Sequence, residues 1–270
     1  MDIVQRVVTH RAVQRIVNTK QLSAFFGWLA NLRLPHFLLR RIIQNFAASN
    51  GSSLSAYDFD IEKVATFNQF FTRRFQVGAR PFAGAIAAPA EAFCSIFGVI
   101  EAGLLYQIKG KSYPMRTLLG QETGLNSGGS YLTLYLSPAD YHGVHAPFDS
   151  TIHSVRYISG DLHSVNAQNI RQKDNIYCTN ERIVLSGVSE FGVFYMILVG
   201  AVIVGKIKLH IIKDCKSGNC YENLHIACKQ GDELAMFELG STVILILPTL
   251  HLASLPLSEN EKVKLGQKLC

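Results

Sequence analysis

FGVFYMILVGAVIVG, residues 191–205, is the longest strongly apolar stretch of this 270-residue chain. As a helix it is too short to cross a bilayer, because a spanning helix needs about 20 apolar residues. Its β-branched and aromatic side chains favour strands. Its internal glycines, Gly192 and Gly200, favour a tight turn. The stretch therefore predicts buried strands joined by a turn, and with them a β-rich core.

Similar short runs, separated by Gly, Pro, Asn and Ser, continue on both sides of this stretch from about residue 86 onward. The predicted strands are Ser95–Ile100, Tyr131–Leu136, Thr151–Tyr157, Arg182–Leu185, Val193–Val199, Ala201–Ile212 and Thr242–Leu247. Regular turn signals between such runs are typical of antiparallel sheets. The predicted fold class is α+β, a mostly antiparallel β domain over residues 51–270 with N-terminal amphipathic helices in residues 1–50.

Three helices are predicted in residues 1–50, and a short fourth over Ile61–Arg73. The first has apolar pairs four residues apart, such as Val4 and Val8, but its apolar positions wander around the helix axis. The third begins near Pro35 and ends at Ser49-Asn50-Gly51. Apolar residues expected on one face of the second and third helices are Leu22, Phe25, Phe26, Leu29, Leu38, Leu39, Ile42, Ile43 and Phe46.

The positive charge is concentrated at the same end of the chain. Residues 1–57 carry seven basic side chains and one acidic side chain, and so hold the whole formal net charge of +6. This concentration of positive charge predicts an anionic partner, either a membrane surface or nucleic acid. An apolar face, a cationic face with Arg40 and Arg41, and Trp28 are typical of helices that lie in lipid headgroups. A helical cap with a solvated basic face explains the pattern equally well. Nucleic acid is disfavoured, because interleaved aromatic and Gly/Arg residues are lacking.

Composition and cysteine usage restrict the class of protein further. Hydrophobic residues make up 48% and charged residues 17% of the sequence, which excludes disorder, collagen and coiled coil. The six cysteines include no CxxC pair, and we expect reduced thiols in a cytoplasmic protein, with a disulfide among the last few as the alternative. Arg6, Arg11 and Arg15 interrupt any apolar segment of a signal peptide, so none is expected.

Two short motifs could carry chemistry. The segment from Asp140 to Asp149 contains His142 and His145. These histidines could bind a metal, act as a general base, or be ordinary loop residues, and an HxxH spacing differs from the HxxxH spacing of zinc-hydrolase helices. The second motif, Leu239-Gly240-Ser241-Thr242, precedes the last apolar strand and by itself is an ordinary turn.

Taken together with other segments, these motifs resemble the phosphatidylserine decarboxylases from about residue 67 to residue 247. The segments that carry the resemblance are Phe67–Phe75, Gly78–Pro81, Lys109–Tyr113, Tyr135–His145, Gly160–Asn166, Asn180–Arg182, Val199–Ala201 and Leu239–Thr242. They occur in the family's order and with compatible spacing.

The resemblance implies a proenzyme that cuts its own backbone between Gly240 and Ser241. Ser241 would attack the Gly240 carbonyl with His145 as base, giving a β chain of residues 1–240 and an α chain of residues 241–270. Ser241 would become a pyruvoyl group, the covalent cofactor. Through a Schiff base to that group, phosphatidylserine would be decarboxylated to phosphatidylethanolamine, a step of phospholipid biosynthesis. His142 and Ser164 are the candidate substrate-binding residues, and no metal is expected.

The chain departs from the family pattern at one site. The family orients its histidine with the aspartate of a Pro-Ala-Asp-Gly motif, where this chain has Pro89-Ala90-Glu91-Ala92. Glu91 keeps the carboxylate on a side chain longer by one methylene, about 1.5 Å. We expect Glu91 to take the orienting role in a functional, slowly maturing enzyme. The alternative is an unprocessed pseudoenzyme that binds anionic lipid.

The resemblance also implies partners and a location. The substrate is phosphatidylserine in an anionic membrane, and the α and β chains of one precursor would stay together, as a homodimer of αβ units. No nucleic-acid partner is expected. Because the sequence has neither a transit peptide nor a membrane anchor, we expect a bacterial-type peripheral enzyme on the cytoplasmic side of the cell membrane.

Overall fold

A computed structural model describes residues 19–50, 54–107, 111–123, 128–202, 207–213, 215–238, 241–248, 255 and 257–270. The first predicted helix, before residue 18, lies outside the described residues. So does Gly240, the residue on the amino side of the expected cleavage site.

The described part of the chain begins with two helices, α1 (Thr19–Ala30) and α2 (His36–Asn50). In α2, the side chains of Leu39 and Ile43 are buried, whereas those of Leu38 and Ile42 are exposed. The apolar face predicted for this helix is therefore divided between a contact with the domain and solvent. No helix among the described residues is both long enough and apolar enough to cross a membrane.

A small helix, α3 (Phe67–Phe71), lies between two short paired strands, β1 (Tyr57–Asp58) and β2 (Arg74–Phe75). The buried Phe70 of α3 packs in one cluster with Leu39 and Ile43. The helix predicted over 61–73 is wrong in length. Thr66 caps the helix, because its Oγ1 accepts a hydrogen bond from the backbone N–H of Gln69 at 3.2 Å, so residues 61–63 form a turn instead.

The other elements are short strands and one-turn helices. In chain order they are β3 (Ala92–Val99), β4 (Leu104–Gln107), β5 (Lys111–Pro114), α4 (Met115–Leu119), β6 (Ser130–Leu136), β7 (Gly143–His145), β8 (Ser150–Ile158), α5 (Ala167–Gln172), α6 (Ile176–Thr179), β9 (Arg182–Ser189), β10 (Gly192–Gly200), β11 (Ile207–Leu209), β12 (Cys220–Tyr221), β13 (Ile226–Cys228), β14 (Glu233–Phe237), β15 (Ser241–Leu247) and β16 (Lys262–Val263).

Nine of these strands form one antiparallel sheet in the order β12-β8-β9-β10-β15-β6-β3-β16, with β13 also paired to β8. This sheet confirms the α+β class. Strand β10 explains the apolar stretch that opened the sequence analysis. Alternate side chains of β10 enter a hydrophobic core on each side of the sheet, Met196 and Leu198 in one, Ile197 and Val199 in the other. Because both faces are buried, the strand is apolar throughout rather than alternating.

The strand predicted over Ala201–Ile212 is wrong in its extent. Only Ile207–Leu209 is a strand, residues 210–213 form a bend and turn, and residues 203–206 lie outside the described residues. The short strand β11 belongs to a separate three-stranded sheet in the order β11-β14-β7. The other six predicted strands are confirmed, with ends that differ by up to four residues. All six cysteines are free thiols.

Candidate active site

Ser241 begins β15 and lies in the middle of the large sheet. It pairs with Gly200 of β10 on one side and with Leu136 of β6 on the other. The side chain is fully buried, and its Oγ has no hydrogen-bond partner among the described residues. Burying an unpaired hydroxyl costs about 1–3 kcal/mol, so such a group calls for a functional or structural explanation. An unengaged hydroxyl at this position is free to act as a nucleophile.

The loop between β6 and β7 carries His142 and leads into β7, which ends at His145, and Asp140 fixes the shape of this loop. The Asp140 carboxylate accepts a hydrogen bond from the backbone N–H of Ser137 at 2.9 Å and pairs with Lys262 at 2.9 Å. Burial raises the pKa of Asp140, and the contacts with Lys262 and Ser137 oppose the rise. Arg73 adds a further tether, because its Nη2 donates to the carbonyl of Ala139 at 2.9 Å. The loop is therefore held at several points.

His142 is fully buried in this loop. Its Nδ1 lies 2.9 Å from the carbonyl oxygen of Asp140. A carbonyl can only accept, so Nδ1 carries the proton and Nε2 is an acceptor. Nε2 has no partner among the described residues. Burial lowers the pKa of His142 to about 3, so the ring is neutral at physiological pH. Its backbone carbonyl accepts from the N–H of Phe237 at 3.0 Å, which attaches His142 to the end of β14, four residues before Ser241.

His145 ends β7 in a different environment. Its Nδ1 lies 2.7 Å from the carbonyl oxygen of Gly231, and its Nε2 lies 3.0 Å from the hydroxyl of Tyr141. By the same reasoning Nδ1 carries the proton, and Nε2 accepts from Tyr141. Burial lowers the pKa of His145 as well. Gly143 leaves room for this arrangement, because a Cβ at residue 143 would overlap the Tyr141 ring.

Among the described residues, the two histidines have different hydrogen-bond partners. One ring is held by the carbonyl of Asp140 and lies against Phe71, whereas the other is held by Gly231 and Tyr141. Within the part of the chain that the structure describes, no group of three or more His, Cys, Asp or Glu side chains is arranged to hold a metal ion.

Glu91 is buried, but its carboxylate lies against Arg80 rather than the His145 ring. Arg80 donates to both carboxylate oxygens at 2.9 Å, and the backbone N–H of Leu265 donates to one of them at 3.0 Å. The nitrogen of His145 that an orienting carboxylate would contact is taken by the Gly231 carbonyl. The segment that carries Glu91 contacts His145 through the backbone, because the backbone N–H of His145 donates to the carbonyl of Pro89 at 2.9 Å.

Ser164 is half-buried, and its segment is hydrogen-bonded to the end of β10 that lies beside Ser241. This link is made by Asn180, which is fully buried. Its amide nitrogen donates to the carbonyls of Gly200 and His163, both at 2.8 Å, and its amide oxygen accepts from the N–H of His163 at 3.1 Å. Gly200 pairs with Ser241, so Asn180 links the Ser164 segment to the strand beside the candidate nucleophile.

Sequence reasoning missed the structural role of Asn180 and of its neighbour Arg182. The buried guanidinium of Arg182 donates at 2.7–3.0 Å to four backbone carbonyls, those of Thr117, Leu118, Cys178 and Asn180. These carbonyls lie at or near the ends of the one-turn helices α4 and α6, where a cation satisfies otherwise unpaired oxygens. The sequence did point to these two residues, because Asn180 and Arg182 lie in one of the motifs that carry the family resemblance.

The sequence is similar to that of known proteins over most of its length. The sequence model of the family described as phosphatidylserine decarboxylase matches residues 67–270. A phosphatidylserine decarboxylase proenzyme from Nitrosospira multiformis is 34% identical over 260 residues, covering 90% of this chain and 89% of the relative. The proenzyme from Variovorax paradoxus is 34% identical, covering 95% of both chains, and that from Aliivibrio fischeri is 37% identical, covering 89% and 86%.

Proposed function

The chain belongs to the phosphatidylserine decarboxylase family, whose members are carboxy-lyases, and from this premise we propose that it matures by cutting its own backbone between Gly240 and Ser241. The observation that carries the proposal is the buried Ser241 hydroxyl, which has no partner among the described residues. Relatives named as proenzymes imply processing into two chains. Ser241 follows the last residue of the longer product and begins the shorter one.

The proposed cleavage balances without an external oxidant or reductant. Ser241 Oγ attacks the Gly240 carbonyl carbon, and the peptide C–N bond breaks as the acyl group moves from nitrogen to oxygen. Elimination across the Cα–Cβ bond of residue 241 then releases the carboxylate of Gly240 and leaves dehydroalanine. Water converts dehydroalanine into a pyruvoyl group and ammonia. A neutral serine hydroxyl is a weak nucleophile, so the first step needs a base to take its proton.

We assign that base to His145. Its ring is neutral because burial lowers its pKa, and the Gly231 carbonyl keeps the proton on Nδ1. Nε2, which the Tyr141 hydroxyl contacts, is the nitrogen that takes up the proton of Ser241. Glu91 is proposed as a positioning residue that acts through the backbone. Its ion pair with Arg80 holds the segment whose Pro89 carbonyl accepts from the His145 N–H.

A pyruvoyl group at residue 241 suits its surroundings, because it replaces a buried hydroxyl that has no described partner with a ketone of similar size. Once formed, the group supplies an electron sink for the negative charge left when CO₂ departs. We assign His142 and Ser164 to the substrate. Nε2 of His142, which has no partner among the described residues, accepts a hydrogen bond from the phosphatidylserine amine and so positions the headgroup. The half-buried Ser164 contacts the headgroup.

After cleavage, the pairing of β15 supports a lasting association of the two chains. The α chain, residues 241–270, begins with β15, which lies between β10 and β6 of the β chain, and it also contains β16, which pairs with β3. Removing the α chain would open the large sheet at its centre. We therefore propose that the α and β chains stay together after cleavage. We also propose that two αβ units form a homodimer, and light scattering of the mature protein would measure its mass.

We also propose that residues 1–50 hold the decarboxylase domain, residues 51–270, on the cytoplasmic face of the anionic membrane that contains the substrate. Within helices α1 and α2, the side chains of Phe25, Trp28 and Phe37 are 52%, 59% and 76% exposed. Two basic residues of the same region are exposed as well, Arg33 between the helices and Arg41 in α2. Exposed aromatic and cationic side chains together favour the boundary between headgroups and acyl chains.

Substituting Ser241 tests this function. The purified wild-type protein should separate into two chains on denaturing electrophoresis and release CO₂ from vesicles that contain phosphatidylserine. Ser241→Ala should remain one chain and release none. A wild-type protein that stays a single chain, with no release of CO₂, would instead support an unprocessed lipid-binding pseudoenzyme. Cleavage of Ser241→Ala between residues 240 and 241 would exclude the serine mechanism.

A further inference from the structure

Glu233, the first residue of β14, lies directly opposite His145 in the pairing of β14 with β7. Residues opposite one another in an antiparallel pair have Cβ atoms about 4.5–5.5 Å apart, with side chains on the same face of the sheet. The Glu233 carboxylate is mostly buried, with 18% of the side chain exposed. A negative charge therefore lies beside the histidine to which we assign the base.

The carboxylate of Glu233 is paired with a cation from another element. Arg74, on β2, donates from Nε to one carboxylate oxygen at 2.8 Å and from Nη2 to the other at 3.1 Å. Two-point pairing of this kind fixes the orientation as well as the charge. His210, just after β11, lies 3.4 Å from one of the same oxygens through its Nδ1. Burial lowers the pKa of His210, which favours its neutral form.

Among the described residues, the charged and titratable groups that face His145 are these three and the Tyr141 hydroxyl. The negative charge of Glu233 raises the pKa of His145, and the positive charges of Arg74 and protonated His210 lower it. The two main electrostatic influences thus oppose each other, while burial sets the direction of the total shift. Removing either member of the ion pair would leave the other charge unbalanced beside the imidazole.

We propose that Arg74 and Glu233 are positioning residues for self-cleavage, an ion pair in which each member balances the charge of the other beside the His145 ring. This proposal rests on the assignment of His145 as the base. A lone carboxylate opposite the ring would stabilise the imidazolium and reduce the fraction of neutral base near neutral pH. A lone guanidinium would keep the ring neutral but make Nε2 a weaker base. The pair holds His145 between these two conditions.

The direct test is the pKa of His145 measured by NMR titration of the imidazole in the uncleaved Ser241→Ala protein, with His210→Asn added to remove an overlapping titration. Arg74→Gln should raise the pKa of His145 by about one unit, and Glu233→Gln should lower it by a similar amount. The double variant should return close to the starting value. Arg74 is 59% exposed, so its substitution should leave the fold intact.

Arg116→Gln is the matched control, because Arg116 forms an exposed ion pair with Glu122 elsewhere on the surface and should leave the pKa of His145 unchanged. The opposite signs of the two single variants distinguish an electrostatic role from a structural one. A pKa of His145 that does not move, or that moves in the same direction in both, would overturn the proposal.

The pH dependence of cleavage, measured with Ser241 present, separates this inference from the proposed function. The pH at which cleavage falls to half should shift upward in Arg74→Gln and downward in Glu233→Gln. If the pKa values shift as expected but His145→Ala still cleaves at the wild-type rate, His145 is not the base and the positioning role fails with it. If His145→Ala blocks cleavage but the pKa does not respond, only the ion-pair proposal fails.

Discussion

The Nδ1 atom of His145 lies 2.7 Å from the carbonyl oxygen of Gly231, and this contact decides which ring nitrogen is basic. An oxygen that can only accept keeps the proton on Nδ1 and leaves the lone pair on Nε2. Enzymes that activate serine with histidine often orient the ring with a carboxylate. In this chain a backbone carbonyl occupies the orienting position, and the carboxylate of Glu91 is paired with Arg80.

Replacing His145 should abolish most self-cleavage. For His145→Ala we expect a loss of about 10²- to 10⁴-fold in the rate of processing, the usual contribution of a general base. A time course of denaturing electrophoresis measures the rate. His142→Ala is the matched control, because it should still be processed and should lose decarboxylation instead. Normal processing of His145→Ala together with a block in His142→Ala would reverse the two assignments.

The rate of wild-type processing should depend on pH with a defined sign. His145 acts as base only when neutral, and its pKa is lowered from the ordinary value near 6.5 by burial. The rate should therefore be constant at neutral and mildly alkaline pH and should fall only at acidic pH, below the ordinary histidine pKa. Processing followed from about pH 4.5 to about pH 8.5, an interval of about two units on each side of that value, measures this. A fall that begins above pH 7 would contradict a lowered pKa.

Glu91 should matter for both stability and maturation. In Glu91→Ala, the mostly buried Arg80 would lose its partner, and breaking a buried pair costs about 3–5 kcal/mol. Because part of Arg80 is exposed, we expect a loss of about 2–3 kcal/mol, measured by urea unfolding in the Ser241→Ala protein. Processing in the Ser241 protein should slow as the Pro89 carbonyl shifts from His145. Glu91→Gln, which keeps hydrogen-bonding oxygen, should lose less. Unchanged stability and processing in Glu91→Ala would remove its positioning role.

Asn180 should be as important as the residues that the motifs emphasised. Asn180→Ala removes hydrogen bonds to Gly200 and His163 and leaves buried backbone groups without partners, so we expect a loss of about 2–4 kcal/mol in the free energy of unfolding. Processing should slow as well, because Gly200 pairs with Ser241. Asn219→Ala, at an exposed asparagine, should have little effect on either measurement. Equal stability and processing of the two variants would contradict this role.

Membrane binding should depend on the exposed faces of α1 and α2. Trp28→Ser with Phe37→Ser, and separately Arg33→Glu with Arg41→Glu, should each weaken sedimentation with phosphatidylserine vesicles by about tenfold or more. We prefer these arginines to Arg40, because Arg40 forms an ion pair with Glu62 at 2.9 Å.

Salt separates the two contributions to this binding. At high salt, the difference in vesicle binding between the wild type and the charge-reversed variant should shrink, because ions screen the arginines. The difference between the wild type and the Trp28/Phe37 variant should persist, because ions do not screen aromatic side chains. Processing should be unchanged in all four substitutions. If both double variants bind vesicles as well as the wild type does, the N-terminal helices are only a cap on the domain and the membrane-binding proposal is wrong.

The central strands β10 and β15 could be predicted because both of their faces are buried along nearly their whole length. Such continuous apolar runs can be recognised in the sequence, and the predicted strands differ from the observed ones mainly in where they begin and end. Ala201, Ile211 and Ile212 misled the prediction, because apolar side chains pack against the core from turns and bends as well as from strands. Thr66 shortened the predicted helix through a capping contact whose strength depends on the surrounding turn.

At the site, motifs indicated which residues matter but not which of them touch. The order of His142 and His145 in the sequence says nothing of their separate environments, which depend on carbonyls of Asp140 and Gly231. Gly231 is 86 residues from His145, and a backbone carbonyl leaves no trace in residue type. Arg80 and Glu91 are close in sequence, but their pairing became visible only in three dimensions.

The most direct test of the central claim is the intact mass of the purified protein under denaturing conditions. We predict two chains that meet between residues 240 and 241, with the α chain lighter, by the mass of one ammonia, than a chain that begins with serine. Their summed mass should equal that of the uncut chain plus one water minus one ammonia. A single full-length chain with unmodified Ser241, or an α chain that begins with intact serine, would contradict the claim that Ser241 becomes the pyruvoyl group.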